Sequence, residues 1–379
     1  MYSVKFKNFL IKNIIMNHLE SLLFLKKNGL LEEASRYAPS IKRVLRNALG
    51  LERGDILMII GDTGKKGNRC APLLCATYYL AARKLGVSPN VQLGNTHIAN
   101  KPPSEEVQNA LSLLPDKSIV MLAVSDKLGT LSKIGHSFRE FCRIKKHRFT
   151  TTSSLSFLPM SKFYYLIKAM DVDYKTLTAK HKKLAHKLSC SNTIRITSKN
   201  GTDFLADIRN GTAISSDGMY NKVGLGGNLP PGEVFIAPHR DKITGKVVID
   251  GSSRNLYGVS LIKSASERII MRIKQGKVMS IEGGEAARLL EKSLNEKSRK
   301  SKMPTWGIKK IGEIGIGMNP NASIVGTTII DEKVLGTAHV ALGSNYWFMG
   351  RVVAPLHLDQ VFKDVEIYLN GKKIDLDRL

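Results

Sequence analysis

Short hydrophobic runs alternate with helix-like segments through the first half of the chain. The apolar runs "DILMII" (55–60) and "SIVMLAV" (118–124) predict buried strands, and "NVQL" (90–93) predicts another. Between them, "RCAPLLCATYYLAARKLG" (69–86) ends at a glycine, and "SEEVQNALSLL" (104–114) begins with a serine and two acids, as helices do. Strands that alternate with helices predict an α/β domain with a mostly parallel sheet.

The second half has a different pattern, in which polar and apolar residues alternate and glycine or asparagine marks the turns. "ERIIMRIKQGKVMSIEGG" (267–284) and "VEIYLNGKKI" (365–374) are typical β-hairpin segments. One amphipathic helix, "EAARLLEKSLNEKS" (285–298), interrupts the strands. We therefore expect an N-terminal α/β domain at 1–190 and a C-terminal β-rich α+β metal-binding domain at 191–379.

The charge of the chain is strongly positive. Its 379 residues carry 58 Lys and Arg against 32 Asp and Glu, a net charge of +26. Such an excess can indicate a nucleic acid or an anionic membrane as partner, or simply a solvated lysine-rich surface. The charge is spread along the chain, and its densest stretch includes "DYKTLTAKHKKLAHKLS" (173–189), which fits an amphipathic helix with a solvated Lys and His face. Nucleic acid is therefore a possible partner but not the favoured one.

Several functional classes find little support in the sequence. The four cysteines lack CxxC spacing, which argues against a zinc knuckle and favours reduced thiols in a cytoplasmic protein. The loop "GDTGKKGN" (61–68) lacks the Walker spacing of a phosphate loop. No run reaches the ~18 apolar residues of a membrane span. The basic first segment has no signal-peptide cleavage site, so we expect an N-terminal helix, with the chain starting at Met1 or at Met16.

Isolated acidic and histidine residues in the second half are the candidate chemical groups. Glu233 in "GEVFIAP", Glu313 in "IGEIGIGMNP" and His339 in "GTAHVALG" interrupt apolar strands, where a charge is costly unless it is paired or coordinated. His357 and Asp359 in "HLD" would share one strand face. Each alone could be a strand end, a core histidine or a surface pair. Together they can hold two divalent cations, an arrangement suited to hydrolysis by water.

Four motifs occur in the same order as in a known family. "NLPPGEVFIAP", "GEIGIGMNP", "DEKVLGTAHVALGSNY" and "HLD" resemble the metallo-aminopeptidases of the aminopeptidase T and aminopeptidase S type, peptidase family M29. The resemblance is dense from about residue 201 onward, whereas the first half agrees only in its α/β character. It implies a homodimeric hydrolase with two Co, Zn or Mn ions that removes N-terminal residues from peptides. The implied metal ligands are Glu233, Glu313, His339, His357 and Asp359.

The same resemblance places Tyr346 at the site. For the hydrolytic reaction we expect Tyr346 to donate a hydrogen bond to the developing oxyanion and Glu233 or Glu313 to act as general base. A related branch contains mononuclear Fe(II) dioxygenases that cleave dihydroxypyridine rings, and it carries histidine in place of the Glu313-type carboxylate. Because glutamate stands at 313, we expect an aminopeptidase, with the dioxygenase as the alternative. A third alternative is a non-catalytic basic protein that binds RNA or anionic lipid. The segment between His339 and His357 is shorter than in the aminopeptidases, a departure from that family in the region of the substrate-binding loop.

Overall fold

A computed structural model describes residues 17–96, 102–131 and 137–379. The question of whether the chain starts at Met1 or Met16, and most of the expected N-terminal helix, fall on residues 1–16, outside the described residues. The helices are α1 (17–27), α2 (Leu30–Ser35), α3 (Ala38–Leu49), α4 (Cys70–Arg83), α5 (Glu105–Ser112), α6 (Phe138–Ile144), α7 (Phe163–Met170), α8 (Tyr174–Ser189), α9 (Glu285–Lys300) and α10 (Thr328–Asp331). Short 3-10 turns lie at Leu155–Phe157, Met160–Lys162, Ala265–Glu267 and Tyr346–Phe348.

Strands make up most of the second half. The described strands are β1 (Leu57–Asp62), β2 (Asn90–Gly94), β3 (Ile119–Ala123), β4 (Arg148–Thr152), β5 (Thr193–Ser198), β6 (Asp203–Asp207), β7 (Ile214–Ser216), β8 (Gly226–Asn228), β9 (Glu233–Ile236), β10 (Ile243–Ile249), β11 (Ser252–Asn255), β12 (Gly258–Leu261), β13 (Ile269–Lys274), β14 (Lys277–Gly283), β15 (Ile311–Gly317), β16 (Ala338–Gly343), β17 (His357–Phe362), β18 (Val365–Leu369) and β19 (Lys372–Ile374).

Contacts divide the chain into two compact units. The first comprises the residues up to Tyr174 together with 218–230, and the second comprises 175–217 together with 231–379. The domain limits expected at 1–190 and 191–379 stay a prediction.

The first unit is built on a five-stranded sheet with the order β2-β1-β3-β4-β8, in which every neighbouring pair is parallel. Strands β1 and β3 are buried along their whole length, because helices cover both faces of a parallel sheet. Helix α4 is also buried on most of its surface, which accounts for its nearly continuous apolar sequence. The predicted α/β fold with a parallel sheet is confirmed.

The second unit contains two antiparallel sheets of seven strands each. Their orders are β14-β13-β10-β6-β5-β18-β19 and β12-β11-β17-β16-β15-β9-β7. Strands such as β13 alternate buried and exposed residues, whereas every residue of β15 and β16 is buried. The predicted β-rich C-terminal half is confirmed, and any charged side chain on β15 or β16 is placed in the protein interior.

Within the described residues, no helix is both long enough and apolar enough to cross a membrane. All four cysteines are free thiols, in agreement with the absence of a disulfide framework from the sequence.

The Lys and His residues of helix α8 are predicted to face solvent, and one of them does not. The His181 side chain is 0% exposed, and its Nδ1 lies 3.0 Å from the Ser215 hydroxyl. Burial, aided by the nearby charge of Lys333, lowers the pKa of His181 from 6.5 to about 3. His186, on the same helix, is exposed as predicted.

Acidification should therefore weaken the fold through His181. Below pH 6.5 the unfolded chain binds a proton that the folded chain excludes, so stability falls as the pH drops from 6.5 toward 3. We expect the loss from this residue to reach about 2 kcal/mol at pH 5. Urea unfolding at pH 7.5 and pH 5 should show a smaller pH effect for His181→Gln, while His186→Gln should keep that of the unchanged protein. Equal pH effects in all three proteins would contradict the assignment.

Candidate metal centre

Four adjacent strands of one sheet bring the candidate chemical groups together. Strands β9, β15, β16 and β17 are neighbours in that order and carry, respectively, Glu233, Glu313, His339 and the His357–Asp359 pair. Glu313 is opposite Ala341, which is in turn opposite Asp359. These side chains therefore lie on one face of the sheet, although about 125 residues separate the first from the last.

The side chains converge around the carboxylate of Glu313. His339 Nε2 lies 3.1 Å from Glu313 Oε1, and His357 Nε2 lies 3.5 Å from Glu313 Oε2. Asp359 Oδ1 is 3.1 Å from His357 Nε2. Glu233 Oε2 is 3.6 Å from His339 Nε2 and joins the cluster from the other side. Suitable donor atoms of Glu313, His357 and Asp359 all lie within 4.8 Å of one another, a spacing that could hold a metal ion.

Small residues make room for these groups. His339 pairs with Gly315 across the sheet, and a Cβ atom at 315 would lie 2.1 Å from His339 Cε1. Glycine at this position therefore lets the imidazole lie over the neighbouring strand and reach both glutamates. His339 is fully buried, and its Nδ1 has no hydrogen-bond partner among the described residues.

A buried asparagine shapes the backbone beside Glu313. Asn345 Nδ2 donates to the carbonyl of Gly312 at 2.7 Å, next to an irregularity in the pairing of β15, and Asn345 Oδ1 accepts from the Val352 amide at 2.8 Å. The preceding carbonyl, of Ser344, accepts from His357 Nδ1 at 2.8 Å. This last bond places the proton on Nδ1 and leaves the Nε2 lone pair facing the cluster. In "GSNYW" the role of Asn345 had no sequence signal beyond its turn-like composition.

Lys333 and Glu332 also belong to the site, and sequence reasoning missed both. The Lys333 side chain is fully buried; its Nζ contacts Glu233 Oε1 and lies 2.6 Å from Glu332 Oε1. In "DEKVLG" these residues resemble an ordinary charged turn, so the sequence offered no signal of their burial. Suitable donor atoms of Glu233, Glu332 and His339 lie within 4.8 Å of one another and form a second possible ligand group.

The backbone around Asn319 fixes this ion pair. The Asn319 amide donates to the carbonyl of Lys333 at 2.7 Å, and Asn319 Nδ2 donates to the carbonyl of Pro231 at 2.8 Å. The Met318 amide donates to the carbonyl of Gly232 at 2.7 Å. The segments that carry Glu233 and Lys333 are thereby both hydrogen-bonded to the residues that follow β15.

Burial and mutual charge shift the ionisation of the cluster. Burial raises the pKa of Glu233 and of Glu332, against the opposing effect of Lys333. Burial alone would lower the pKa of Lys333, but the two carboxylates raise it above its usual value. In the metal-free protein, burial lowers the pKa of both site histidines, yet Glu313 raises that of His339 to about 9 and Asp359 raises that of His357 to about 9. A cation at Glu313 would therefore displace protons from these imidazoles.

Aromatic side chains border the cluster. The Phe348 ring lies 5.2 Å from that of Phe235 and 6.5 Å from that of His357, while the Trp347 ring lies 6.2 Å from His357. Trp347 is 58% exposed, so its indole faces solvent beside the His357 imidazole. Tyr346, in the same turn, is 73% exposed and lies outside the buried group of carboxylates and imidazoles.

A cavity of about 500 Å³ adjoins this aromatic turn. Phe348 lines it together with residues 209–212 and the segment 237–241 that follows β9. Three arginines, Arg209, Arg240 and Arg351, also line it. The cavity is therefore bordered by an aromatic ring on one side and by cationic side chains on others.

Comparison with known proteins identifies the family. Residues 162–377 match the family model described as NicX, 2,5-dihydroxypyridine 5,6-dioxygenase, which covers more than half of the chain. The chain belongs to this family. Among curated proteins, the 2,5-dihydroxypyridine 5,6-dioxygenase of Pseudomonas putida KT2440 is 25% identical over 201 residues, which are 50% of this chain and 54% of that protein. The chain thus spans about half the length of the curated relative it matches.

Two solved structures share the fold. The 2,5-dihydroxypyridine dioxygenase from Pseudomonas putida KT2440 superposes with a TM-score of 0.68 at 17% identity, covering 90% of this chain and 95% of the other. AmpT from Thermus thermophilus superposes with a TM-score of 0.58 at 15% identity, covering 92% and 97%. At such low identity these similarities establish a common fold only.

Family membership corrects several expectations. The expected aminopeptidase, and with it the terms hydrolase and protease, is wrong, because the family model and the curated relative are dioxygenases. The expected pair of Co, Zn or Mn ions is wrong for the same reason. The resemblance to the aminopeptidases is confirmed only as a related fold. The inference that Glu313 indicates hydrolysis failed because one ligand type does not determine the reaction of a metal centre.

The geometry predicts that Gly315→Ala disrupts the site. The new methyl group would overlap the His339 ring, which is buried and has no free direction in which to move. We expect at least a 10-fold loss of divalent-metal affinity and a destabilisation of about 1–3 kcal/mol. Equilibrium dialysis and thermal unfolding would measure both.

Gly94→Ala is the matched control, because a Cβ atom at this strand glycine would meet no atom closer than 3.7 Å. It should leave metal affinity unchanged. Unaltered metal binding by Gly315→Ala would show that the position of the His339 ring is unimportant for the centre.

Proposed function

We propose that the protein is a dioxygenase with a single Fe(II) ion that opens a dihydroxylated aromatic ring of the dihydroxypyridine class. The observation that carries the proposal is the Glu313 carboxylate, whose two oxygens lie 3.1 and 3.5 Å from two imidazole nitrogens, in a chain that belongs to the dioxygenase family. The curated relative, named as a 2,5-dihydroxypyridine 5,6-dioxygenase, supports the choice of substrate class.

The residues present suit one ferrous ion. Glu313 Oε2 is buried and has no hydrogen-bond partner among the described residues, so it has an unused lone pair for a cation. His357 Nε2 and Asp359 complete a compact group of nitrogen and oxygen donors. This group has one histidine and two carboxylates, rather than the two histidines and one carboxylate typical of non-haem Fe(II) oxygenases, but its nitrogen and oxygen donors also suit Fe(II). A second imidazole, that of His339, lies 3.1 Å from Glu313. We assign Glu313, His357 and Asp359 as the ligands, with His339 beside them.

An Fe(II) ion in this group would supply the one-electron chemistry with O₂ that ring cleavage requires. The protein residues have separate tasks. Ser344 orients His357 through the 2.8 Å bond from Nδ1, and His339 holds the Glu313 carboxylate in place. Lys333 pairs with Glu233 and compensates the charge on the far side of the cluster. Glu233 is therefore a positioning residue here rather than a general base.

The aromatic border suits an aromatic substrate. A hydroxylated ring can stack on the exposed face of Trp347, whose ring lies 6.2 Å from that of His357. The adjoining cavity, at about 500 Å³, is large enough for a single ring.

Oxygen uptake tests this function directly. Protein loaded with Fe(II) under argon should consume about one O₂ per 2,5-dihydroxypyridine and remove the ring absorbance of the substrate. His357→Ala should lower iron affinity and the rate of ring loss by at least ~100-fold, because it removes a ligand. His186→Ala, an exposed histidine, should leave both unchanged. Absence of oxygen uptake with dihydroxylated pyridines and benzenes alike would refute the proposal.

Trp347→Ala tests the aromatic surface separately. Loss of the stacking face should raise the KM for the aromatic substrate about 5- to 10-fold, corresponding to ~1–1.5 kcal/mol, with a smaller effect on kcat. Iron content should stay at its original level, since Trp347 supplies no ligand. Tyr164→Ala is the control, because that ring is 56% exposed and belongs to the other unit. A KM equal to that of the unchanged protein would place the substrate elsewhere.

A further inference from the structure

The buried ammonium of Lys333 occupies a place that would otherwise suit a metal ion. Fully buried lysines are uncommon, and this one is enclosed between Glu233 and Glu332 with 0% exposure. The same two carboxylates and His339 form the second possible ligand group of the site, with one donor atom from each within 4.8 Å of one another. The position that this group could offer to a divalent cation is thus next to a fixed positive charge.

We propose that Lys333 takes the place of a second divalent cation in this fold and so restricts the centre to one metal ion. The inference rests on the proposed assignment of the first ion to Glu313, His357 and Asp359, and it adds a residue that sets the number of metals. It assigns Lys333 as a positioning residue, because the ammonium acts through the two carboxylates that it holds.

Electrostatic coupling between the two ligand groups explains why a positive charge is needed there. The two groups share one imidazole, because His339 Nε2 lies 3.1 Å from Glu313 Oε1 and 3.6 Å from Glu233 Oε2. Four carboxylates, those of Glu233, Glu313, Glu332 and Asp359, lie in this largely buried region. If Lys333 were absent, a single divalent ion at Glu313 would leave the carboxylates of Glu233 and Glu332 without a compensating positive charge. An uncompensated buried charge is strongly unfavourable. Lys333 supplies that positive charge from within the chain.

The position of the ammonium is set by the backbone as well as by its charge. The backbone N–H of Asn319 donates to the carbonyl of Lys333 at 2.7 Å. The side-chain Nδ2 of Asn319 donates at 2.8 Å to the carbonyl of Pro231, which lies two residues before Glu233. Asn319 therefore fixes the backbone on both sides of the ion pair between Lys333 and Glu233. A flexible surface lysine that happens to meet a carboxylate would have no such support.

Metal stoichiometry tests the proposal without reference to catalysis. Full-length metal-free protein is dialysed against Mn(II), and bound metal per chain is measured by elemental analysis. The unchanged protein should bind one Mn(II), and Lys333→Asn should bind two, because the asparagine removes the ammonium and adds a carbonyl oxygen. Lys333→Arg, which keeps the positive charge, should bind one. The double variant Glu332→Gln with Lys333→Asn should return to one.

The Tm provides a second measurement. Excess Mn(II), added to protein that already holds one ion, should raise the Tm of Lys333→Asn and leave that of the unchanged protein where it was. Lys333→Gln replaces Lys333→Asn in both measurements if the asparagine variant folds poorly without metal, because its longer amide can still donate to the carboxylates. It too should bind two Mn(II) ions. One Mn(II) per chain in both folded variants would overturn the proposal, as would failure of both to fold even with Mn(II), since a divalent ion should replace the ammonium.

These results separate the proposal from the proposed function. Two ions in the Lys333 variants together with no oxygen uptake by the Fe(II)-loaded unchanged protein would support the role of Lys333 and reject the dioxygenase. Oxygen uptake by the unchanged protein together with a single ion in the folded variants would retain the dioxygenase and reject the role of Lys333. Two ions in the unchanged protein would contradict the role of Lys333 directly.

Discussion

A carboxylate placed on a central strand must find compensating charge, and this requirement organises the C-terminal half of the molecule. Strand β15 is buried along its whole length, yet it carries Glu313. The two imidazoles of β16 and β17 meet that carboxylate, Gly315 makes room for one of them, and the Ser344 carbonyl orients the other. Each of these features would serve little purpose if position 313 were apolar. The sheet is thus a support for a concentration of charge that the interior does not otherwise tolerate.

The fold of this molecule does not by itself determine which reaction its site supports. The chain superposes on a dihydroxypyridine dioxygenase and, less closely, on AmpT, at identities of 17% and 15%. Motifs shared along the strands led the sequence comparison to a hydrolase, because strand-borne glutamates and histidines are compatible with both reactions. The geometry of this chain adds a detail that the motifs do not show, because Lys333 already pairs with the carboxylates of Glu233 and Glu332. Function in such folds must be argued from the site rather than from the scaffold.

The site consists of two groups of side chains with different surroundings. One side, with Glu313, His357 and Asp359, lies beside the aromatic turn at Tyr346–Phe348, because the rings of Trp347 and Phe348 are 6.2 and 6.5 Å from that of His357. The other side, with Glu233, Glu332 and Lys333, is closed by its own ion pairs and tied to Asn319. Under the proposed function, the first group would hold the ion beside the exposed indole of Trp347, and the second group would keep its carboxylates compensated by Lys333.

The sequence by itself determined the parallel sheet of the first half, the hairpin-rich second half and the five residues Glu233, Glu313, His339, His357 and Asp359, because periodicity and isolated charges in apolar strands are local signals. Tertiary structure alone decided the rest. Lys333 and Glu332 looked like a solvated turn, His181 looked like part of a wet helix face, and Asn345 looked like a loop residue. Their burial depends on what packs over them, and a charge beside a metal group acts through distances that sequence spacing does not encode. For the same reason the sequence motifs indicated the candidate donors, whereas the ion pairs of Lys333 beside them became visible only in the tertiary structure.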